Sequence, residues 1–434
     1  MLLLNKELHY SYKVLNNIYF KGAYSSIELN KLLLSLDDSI NKALITKIVY
    51  GVMEKDILLD YVLSKFIKSN TDKTIKLLLK MATFVHKELD SIPDFALVNE
   101  IVNLSKGIDK HASGFVNATL KNIIKNKVNL AELKSNMTRY LSVKYNYPEW
   151  MIKELKKHFD DQFVLDFLSH EETTLTHIRI LQDKISVEDF VRVAKEHSIE
   201  LTDSLYPYTK YVDYGALIKL KALKGKFVVQ GLPSIVTCNV MGVKPNSRVL
   251  DVCSAPGGKS AYIAGLDNSI RVTSCDLHEH RVELIKTYMK NLGLTNVTAI
   301  KQDATTKNDE FKDAFDYVLC DVPCSNLGLA RKKPDVLLNK EKSDVSTLKG
   351  VQLKILNTAY NYVKKGGTLV YSTCTILPDE NEEVVNKFLS SHKDMVLVPI
   401  SVEGLNLVEK GNTYTFYPHV SGTEGFFIGK MVKK

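Results

Sequence analysis

From about residue 235 onward the chain repeats one unit: a short apolar run, a turn carrying Gly or Asp, then a helical stretch. The runs are Arg248 to Cys253, Arg271 to Cys275, Val297 to Ile300, Asp316 to Cys320 and Thr368 to Ser372. Short apolar strands joined by helical crossovers specify a parallel sheet covered on both faces, since each crossover helix must bury its apolar side against the sheet. Ligands then meet the carboxyl ends of the strands. The polar and Gly-rich residues of this half fall there.

The first 135 residues carry the helical period instead, as in Ile40, Leu44, Ile45, Ile48 and Val49, and again in Ile75, Leu78, Leu79, Ala82 and Phe84. Pro93 is their one proline. They predict a bundle of six or seven helices. Between the two lies a stretch of mixed character, with a helix-like Pro148 to Leu155 and short strand-like pieces Thr176 to Ile180 and Phe227 to Gln230. The expected architecture is α/β: an all-helical domain over 1–135, a small α+β linker domain over 136–230 and a Rossmann-like domain over 231–434.

No apolar run approaches the roughly 18 residues that a membrane span requires, and the opening Met1-Leu2-Leu3-Leu4 is cut short by Lys6 and Glu7. Export and membrane insertion are therefore not expected. The six cysteines stand at 238, 253, 275, 320, 324 and 374. Crowding into one half argues against a disulfide framework, and the closest pair, Cys320 and Cys324, lacks the second pair a zinc site needs. Reduced thiols in a cytoplasmic protein, with no metal, are expected. The net charge of +8 is compatible with a nucleic-acid partner and does not demand one.

The first strand runs into Asp251-Val252-Cys253-Ser254-Ala255-Pro256-Gly257-Gly258-Lys259-Ser260, and a helix starts after it. Glycines at such a turn admit a ligand close to the backbone, and exposed amides at the helix start favour polar or anionic groups. A phosphate-cradling loop needs Gly where Cys253 stands, and the G-x-G-x-x-G of dinucleotide sites is absent. The second strand ends at Asp276, placed to accept hydrogen bonds from a ribose, and the third is followed by Asp303, placed to meet an adenine amino group. A nucleoside-bearing ligand without a pyrophosphate site fits this pattern, and S-adenosylmethionine fits it best. Each Asp taken alone is equally well a turn former; three at successive strand ends are harder to dismiss.

The fourth strand runs into Asp321-Val322-Pro323-Cys324-Ser325-Asn326-Leu327-Gly328 and the fifth into Tyr371-Ser372-Thr373-Cys374-Thr375. A lone Cys is ordinarily a small buried hydrophobe, the reading that suits Cys238, Cys253, Cys275 and Cys320. Cys324 and Cys374 share a rim with the Gly-rich loop, which favours chemistry. Residue types alone do not decide which is the nucleophile.

The segments DVCSAPGGKS, DVPCSNLG and YSTCTILPDENEEVV, in that order, resemble the RNA cytosine-C5 methyltransferases of the Nop2/Sun class. Ile92 to Glu100 and Gly114 to Leu120 resemble the NusB-like RNA-binding domain that precedes the catalytic domain in RsmB/Sun-type members, and Arg331 to Asp335 and Gly422 to Phe427 match the same pattern. The resemblance implies a class I methyltransferase fold and methyl transfer from S-adenosylmethionine to C5 of a specific cytosine in small-subunit rRNA, of the position-967 type. It assigns covalent attack on C6 to Cys374, a later role in elimination to Cys324, and the base's Watson–Crick edge to Asp321. Residues Cys253, Ser254, Ala255, Pro256, Gly257, Gly258 and Lys259 would wrap the methionine part of the donor, with Asp276 on the ribose and Asp303 near the adenine. Arg331, Lys332 and Lys333 would meet RNA backbone, against the plainer reading of a solvated basic turn. A single-stranded or bulged cytosine is the expected target, with no DNA partner and a monomer as default. The competing expectations are a non-catalytic RNA-binding ribosome-assembly factor and a methyltransferase for another rRNA or tRNA cytosine.

Overall fold

The computed structural model describes residues 2–434 apart from Asp38 and Asn339. The chain forms two compact units, one of residues 1–169 with 330–341 and one of 170–329 with 342–434. The segment 136–230 is thus shared: its part up to Ser169 lies in the first unit, and its four strands with the helices Val187–Glu196 and Tyr214–Leu217 lie in the second.

Among the described residues, seven α-helices form the first 125 residues of the first unit, against the expected six or seven: Leu2–Lys21, Ser25–Ser35, Lys42–Glu54, Asp56–Ser64, Lys73–Glu88, Asp94–Ile108 and Ser113–Lys125. Lys73–Glu88 is the central one. Ile75, Leu77, Leu78, Leu79, Met81, Ala82, Phe84 and Val85 are all buried, covering its whole circumference. Asp72 caps it, accepting from the amides of Thr74 at 2.8 Å and Ile75 at 3.1 Å. The buried Lys80 is neutralised by Asp56 and by Asp60 at 2.9 Å. Helices Met137–Tyr145, Glu149–His158 and Asp161–Ser169 complete the unit together with Asp335–Leu338.

The second unit opens with a four-stranded antiparallel sheet in the order β2-β3-β1-β4, built from β1 Thr176–Ile180, β2 Leu201–Asp203, β3 Thr209–Val212 and β4 Phe227–Val229. The large sheet follows. Its strands are β5 Arg248–Asp251, β6 Arg271–Asp276, β7 Val297–Lys301, β8 Phe315–Asp321, β9 Val363–Thr373, β10 Met395–Leu397, β11 Val408–Lys410, β12 Thr413–Phe416 and β13 Phe426–Lys433. Their order is β11-β12-β13-β9-β8-β5-β6-β7, with β10 beside β13. The five strands expected from sequence are those of the parallel part, β7-β6-β5-β8-β9. The sheet as a whole is mixed, because β13 returns antiparallel to β9 and carries the remaining strands with it. Strand order reverses between β5 and β8, so the crevice above their carboxyl ends is where a ligand is received.

Gly51 faces Phe84 across the bundle, and a Cβ there would lie 2.0 Å from the ring's Cζ. Phe84 is 3% exposed and has no room to swing. Gly51→Ala therefore loses about 1–3 kcal/mol through overpacking, more than the ~1 kcal/mol that Ala gains in helix propensity. Denaturant unfolding of the full chain measures this, and an equally or more stable variant would refute the contact.

Candidate active site

Above β5 the chain passes through residues 252–257 and enters the helix Gly258–Ala264. Gly257 has φ +105°, a backbone conformation that favours glycine, and a Cβ on it would meet the flexible end of Met289 at 3.0 Å. Ser254 N–H donates to the Cys275 carbonyl at 2.8 Å, fixing the loop to β6. Beneath the loop, Ser260 Oγ donates to Asp251 Oδ2 at 2.7 Å and lies 2.9 Å from Ser254 Oγ, while Ser274 Oγ donates to Ser260 at 2.7 Å.

Asp251 is 1% exposed, and its Oδ1 has no hydrogen-bond partner. Burial pushes its carboxyl up to about 6. Asp276 closes β6, 3% exposed, with Arg281 Nη1 3.4 Å from Oδ2. Arg281 Nη2 also donates to the Ala255 carbonyl at 3.1 Å and so braces the Gly-rich loop against that aspartate. Asp303 Oδ1 accepts from Thr305 N at 2.8 Å and Thr305 Oγ1 at 2.7 Å, which is the turn-forming role realised at one of its two oxygens.

On the other side of the crevice, Asp321 ends β8. Its Oδ2 accepts from Lys259 Nζ at 2.6 Å and its Oδ1 from Ser372 Oγ at 2.8 Å. Burial pulls the Lys259 ammonium down, but the charge and hydrogen bond of Asp321 outweigh it and hold the lysine above its ordinary value. The Gly-rich loop is thereby tied to the strand that leads to Cys324. Cys324 Sγ lies 3.2 Å from Cys374 Sγ, and both thiols are free. Asn326, at φ +61°, turns its carboxamide toward them, with Oδ1 accepting from Cys374 Sγ at 2.8 Å and from Cys324 Sγ at 3.7 Å. The hydrogen bond with Cys374, followed by burial, holds the Cys324 thiol well above the usual range. Cys238 and Cys275 are pushed to about 12 by burial, and Cys253 and Cys320 upward for the same reason.

Two long-range contacts of the site are not visible in the sequence. Gln230 bridges β4 and the Gly-rich loop: its Oε1 accepts from Arg179 Nε at 2.9 Å and its Nε2 donates to the Gly258 carbonyl at 3.2 Å. Arg179 in turn stacks over the Tyr262 ring at 4.9 Å. Gly328 and Gly425 pack backbone to backbone, with Gly425 N–H donating to Gly328 O at 2.9 Å, and a Cβ on Gly328 would fall 2.1 Å from Gly425 O. That contact is why the Cys324 loop and the Thr423-Glu424-Gly425 turn both carry glycine.

Of the three basic residues following that loop, Arg331 belongs to the helical unit. Its Nη2 donates to the Leu168 carbonyl at 2.5 Å and its guanidinium lies over the Tyr147 ring at 4.9 Å. Lys332 is half-buried and Lys333 exposed.

A Rossmann-like sheet with a Gly-rich loop at its reversal point, acidic residues on the next two strand ends and paired thiols on the far rim defines a nucleoside-dependent transferase of the class I methyltransferase kind. Residues 238–432 match the family model for the 16S rRNA methyltransferase RsmB/F, and residues 7–125 match the NusB family. The chain is 35% identical over 440 residues to the probable ribosomal RNA small subunit methyltransferase B of Bacillus subtilis, covering 95% of each chain. It is 25% identical to ribosomal RNA small subunit methyltransferase B of Photorhabdus laumondii, covering 97% of each. In fold it is similar to the crystal structure of PH0851, at 24% identity and a TM-score of 0.85 over 98% of this chain and 99% of that one. The chain belongs to the RsmB/F methyltransferase family and is a methyltransferase that uses S-adenosylmethionine.

The Asp251 carboxyl keeps its proton in the folded state up to about pH 6, whereas an unfolded aspartate loses it near 3.8. Stability from this group therefore falls as pH rises from about 4 to 6, and the penalty, on the order of 3 kcal/mol, is complete above that. For the donor-free protein, Asp251→Asn melts higher than wild type at pH 8, and the gap closes by pH 4. A gap independent of pH counts against the buried, unpartnered carboxyl.

Proposed function

We propose that this chain transfers a methyl group from S-adenosylmethionine to C5 of a cytosine in small-subunit rRNA, of the position-967 type, through a covalent bond between Cys374 and C6 of the base. The observation that carries this reading is the pair of thiols 3.2 Å apart beside the Lys259–Asp321 contact. The names of the relatives give small-subunit ribosomal RNA as their substrate. That substrate implies action in the cytoplasm, and no described helix is long and apolar enough to cross a membrane.

The residues of the crevice fit the donor. Gly257 and Gly258 leave the loop without side chains where the methionine part would lie, and Asp276 is held by Arg281 at the end of β6, where it would take the ribose hydroxyls. Asp303 keeps its second carboxylate oxygen for the adenine amino group. The donor's sulfonium supplies an electrophilic methyl, and the protein's task is to make C5 nucleophilic.

Cytosine C5 is too weak a carbon nucleophile by itself, and addition of a thiolate at C6 turns the ring into an enamine. Cys374 makes the C6–S bond as its thiol proton passes to N3 of the ring. Asp321, oriented by Lys259 and Ser372, accepts from N4–H and from the N3 proton that the adduct acquires, and so stabilises the intermediate where charge develops. The C5 carbon then takes the methyl. Cys324 assists removal of the C5 proton, the electron pair re-forms the C5–C6 double bond, and the sulfur of Cys374 leaves. The Cys324 thiol, protonated at rest, gives its proton to solvent before its thiolate takes the one on C5. The target base must leave its stack to reach this crevice, so a loop or bulge is the substrate. Lys332 and Lys333 contact RNA backbone, while Arg331 anchors the segment that carries them.

With RNA and donor present, Cys324→Ala stalls as a covalent protein–RNA adduct resolved by denaturing gel, and Cys374→Ala forms none; the opposite pattern reverses the two roles. Bisulfite sequencing of ribosomal RNA from cells with and without the protein reads the substrate. Loss of one methylcytosine from the small-subunit RNA is expected, and an unchanged pattern there sinks the assignment.

A further inference from the structure

Glu380 stands in the turn Pro378–Glu380 that follows the Cys374 segment, and its side chain is fully buried. Its Oε1 accepts from Ser325 N–H at 2.9 Å and from Gln352 Nε2 at 2.9 Å, and its Oε2 accepts from Ser325 Oγ at 2.5 Å. Ser325 Oγ also lies 2.9 Å from Thr375 Oγ1. Gln352 Nε2 reaches the Pro323 carbonyl at 3.0 Å, and Tyr371 OH donates to the backbone carbonyl of Glu380 at 2.6 Å. Next in the chain, Asn381 accepts from Thr373 Oγ1 at 2.6 Å and donates to the Thr375 carbonyl at 3.1 Å. The groups tied together are the immediate neighbours of Cys324, namely Pro323 and Ser325, and those of Cys374, namely Thr373 and Thr375.

A buried carboxylate is costly to keep. Burial raises the Glu380 carboxyl, and hydrogen bonds from Ser325, Gln352 and Thr375 offset only part of that. Among the described residues no hydrogen bond joins its carboxylate to either thiol, and beyond the effect of its charge on Cys324 it acts through the loops. The two loops differ in stiffness. Cys374 continues directly from β9, which pairs on both sides with β8 and β13, whereas Cys324 lies in an irregular loop whose course depends on Ser325.

We propose that Glu380 is a positioning residue that fixes Cys324 against Cys374, so that it governs release of the methylated base more than attack on it. This rests on the two-thiol mechanism proposed above. Removing the carboxylate leaves the amide of Ser325 and the amide of Gln352 without their acceptor and frees the Cys324 loop, while Cys374 stays on its strand. An ångström of misplacement at a reacting group is worth up to about a hundredfold in rate.

The experiment compares wild type, Cys324→Ala, Glu380→Ala, Glu380→Gln and the double variant Cys324→Ala/Glu380→Ala, reading turnover, RNA and donor KM, adduct fraction and melting temperature. If Cys324→Ala traps no adduct, the two-thiol mechanism itself fails. Given that it does, Glu380→Ala is expected to lower kcat about tenfold or more with kcat/KM for RNA and donor within about twofold of wild type, and to accumulate adduct above wild type. Glu380→Gln, which keeps one acceptor and lets the Ser325 hydroxyl reverse, is expected to be intermediate. The double variant should release no more slowly than Cys324→Ala. Parallel loss of adduct and turnover in Glu380→Ala, a lowered melting temperature with normal release, or additive slowing in the double variant overturns the proposal. Should Glu380→Ala not fold, Glu380→Gln carries the test, and release at the wild-type rate overturns it.

Discussion

Parallel pairing of β8 with β9 is the constraint from which the site follows. The register that sets Asp321 opposite Ser372 also makes the two strands end at the same level, so the residues after each end are forced into the same small volume. Cys324 and Cys374 are 50 residues apart in the chain and 3.2 Å apart in space for that reason. The same register delivers the Ser372 hydroxyl to Asp321, whose other oxygen reaches across to Lys259 on the Gly-rich loop. Three loops are thus joined by two hydrogen bonds to one carboxylate.

Around this point the protein buries charge unevenly. Lys259 and Asp321 neutralise each other, and each provides what the other lacks in a dry environment. Asp251 has hydroxyl partners at one oxygen only, and its carboxyl rises accordingly. Glu380 sits between them in kind, fully hydrogen-bonded yet without a cation. Folding stability alone does not call for the last two. Both lie directly beneath loops that have to keep an irregular course, where backbone amides and hydroxyls need acceptors that regular structure does not supply.

The sequence was most legible where local rules act. The five parallel strands, the helical first 125 residues, the glycine turn above β5 and the aspartates ending or following β6, β7 and β8 all carried signals within a few residues of themselves. It was least legible where one residue's role is set by a distant partner. Gln230 gave no sign of spanning from β4 to Gly258, and Gly425 none of abutting Gly328. Arg331 looked like one of three equivalent cations, yet its guanidinium is held by Leu168 and Tyr147 of the helical unit, contacts no local pattern encodes. The antiparallel strands after β9 escaped notice as well. The pairing of β10 with β13 is a long-range fact, and short strands such as β10 and β11 carry little period of their own.

By itself, the sequence determined which side chains were available: six thiols, a Gly-rich turn without a phosphate or dinucleotide pattern, and carboxylates at successive strand ends. These are properties of residue type and short spacing, and the chain carries them before it folds. The tertiary structure alone decided which of the six thiols face each other, which carboxylates are neutralised and which are left with an empty oxygen, and which buried side chain holds the two cysteine loops together. Those outcomes depend on strand order and register, and a register is fixed only when both faces of the sheet bury their apolar residues at once.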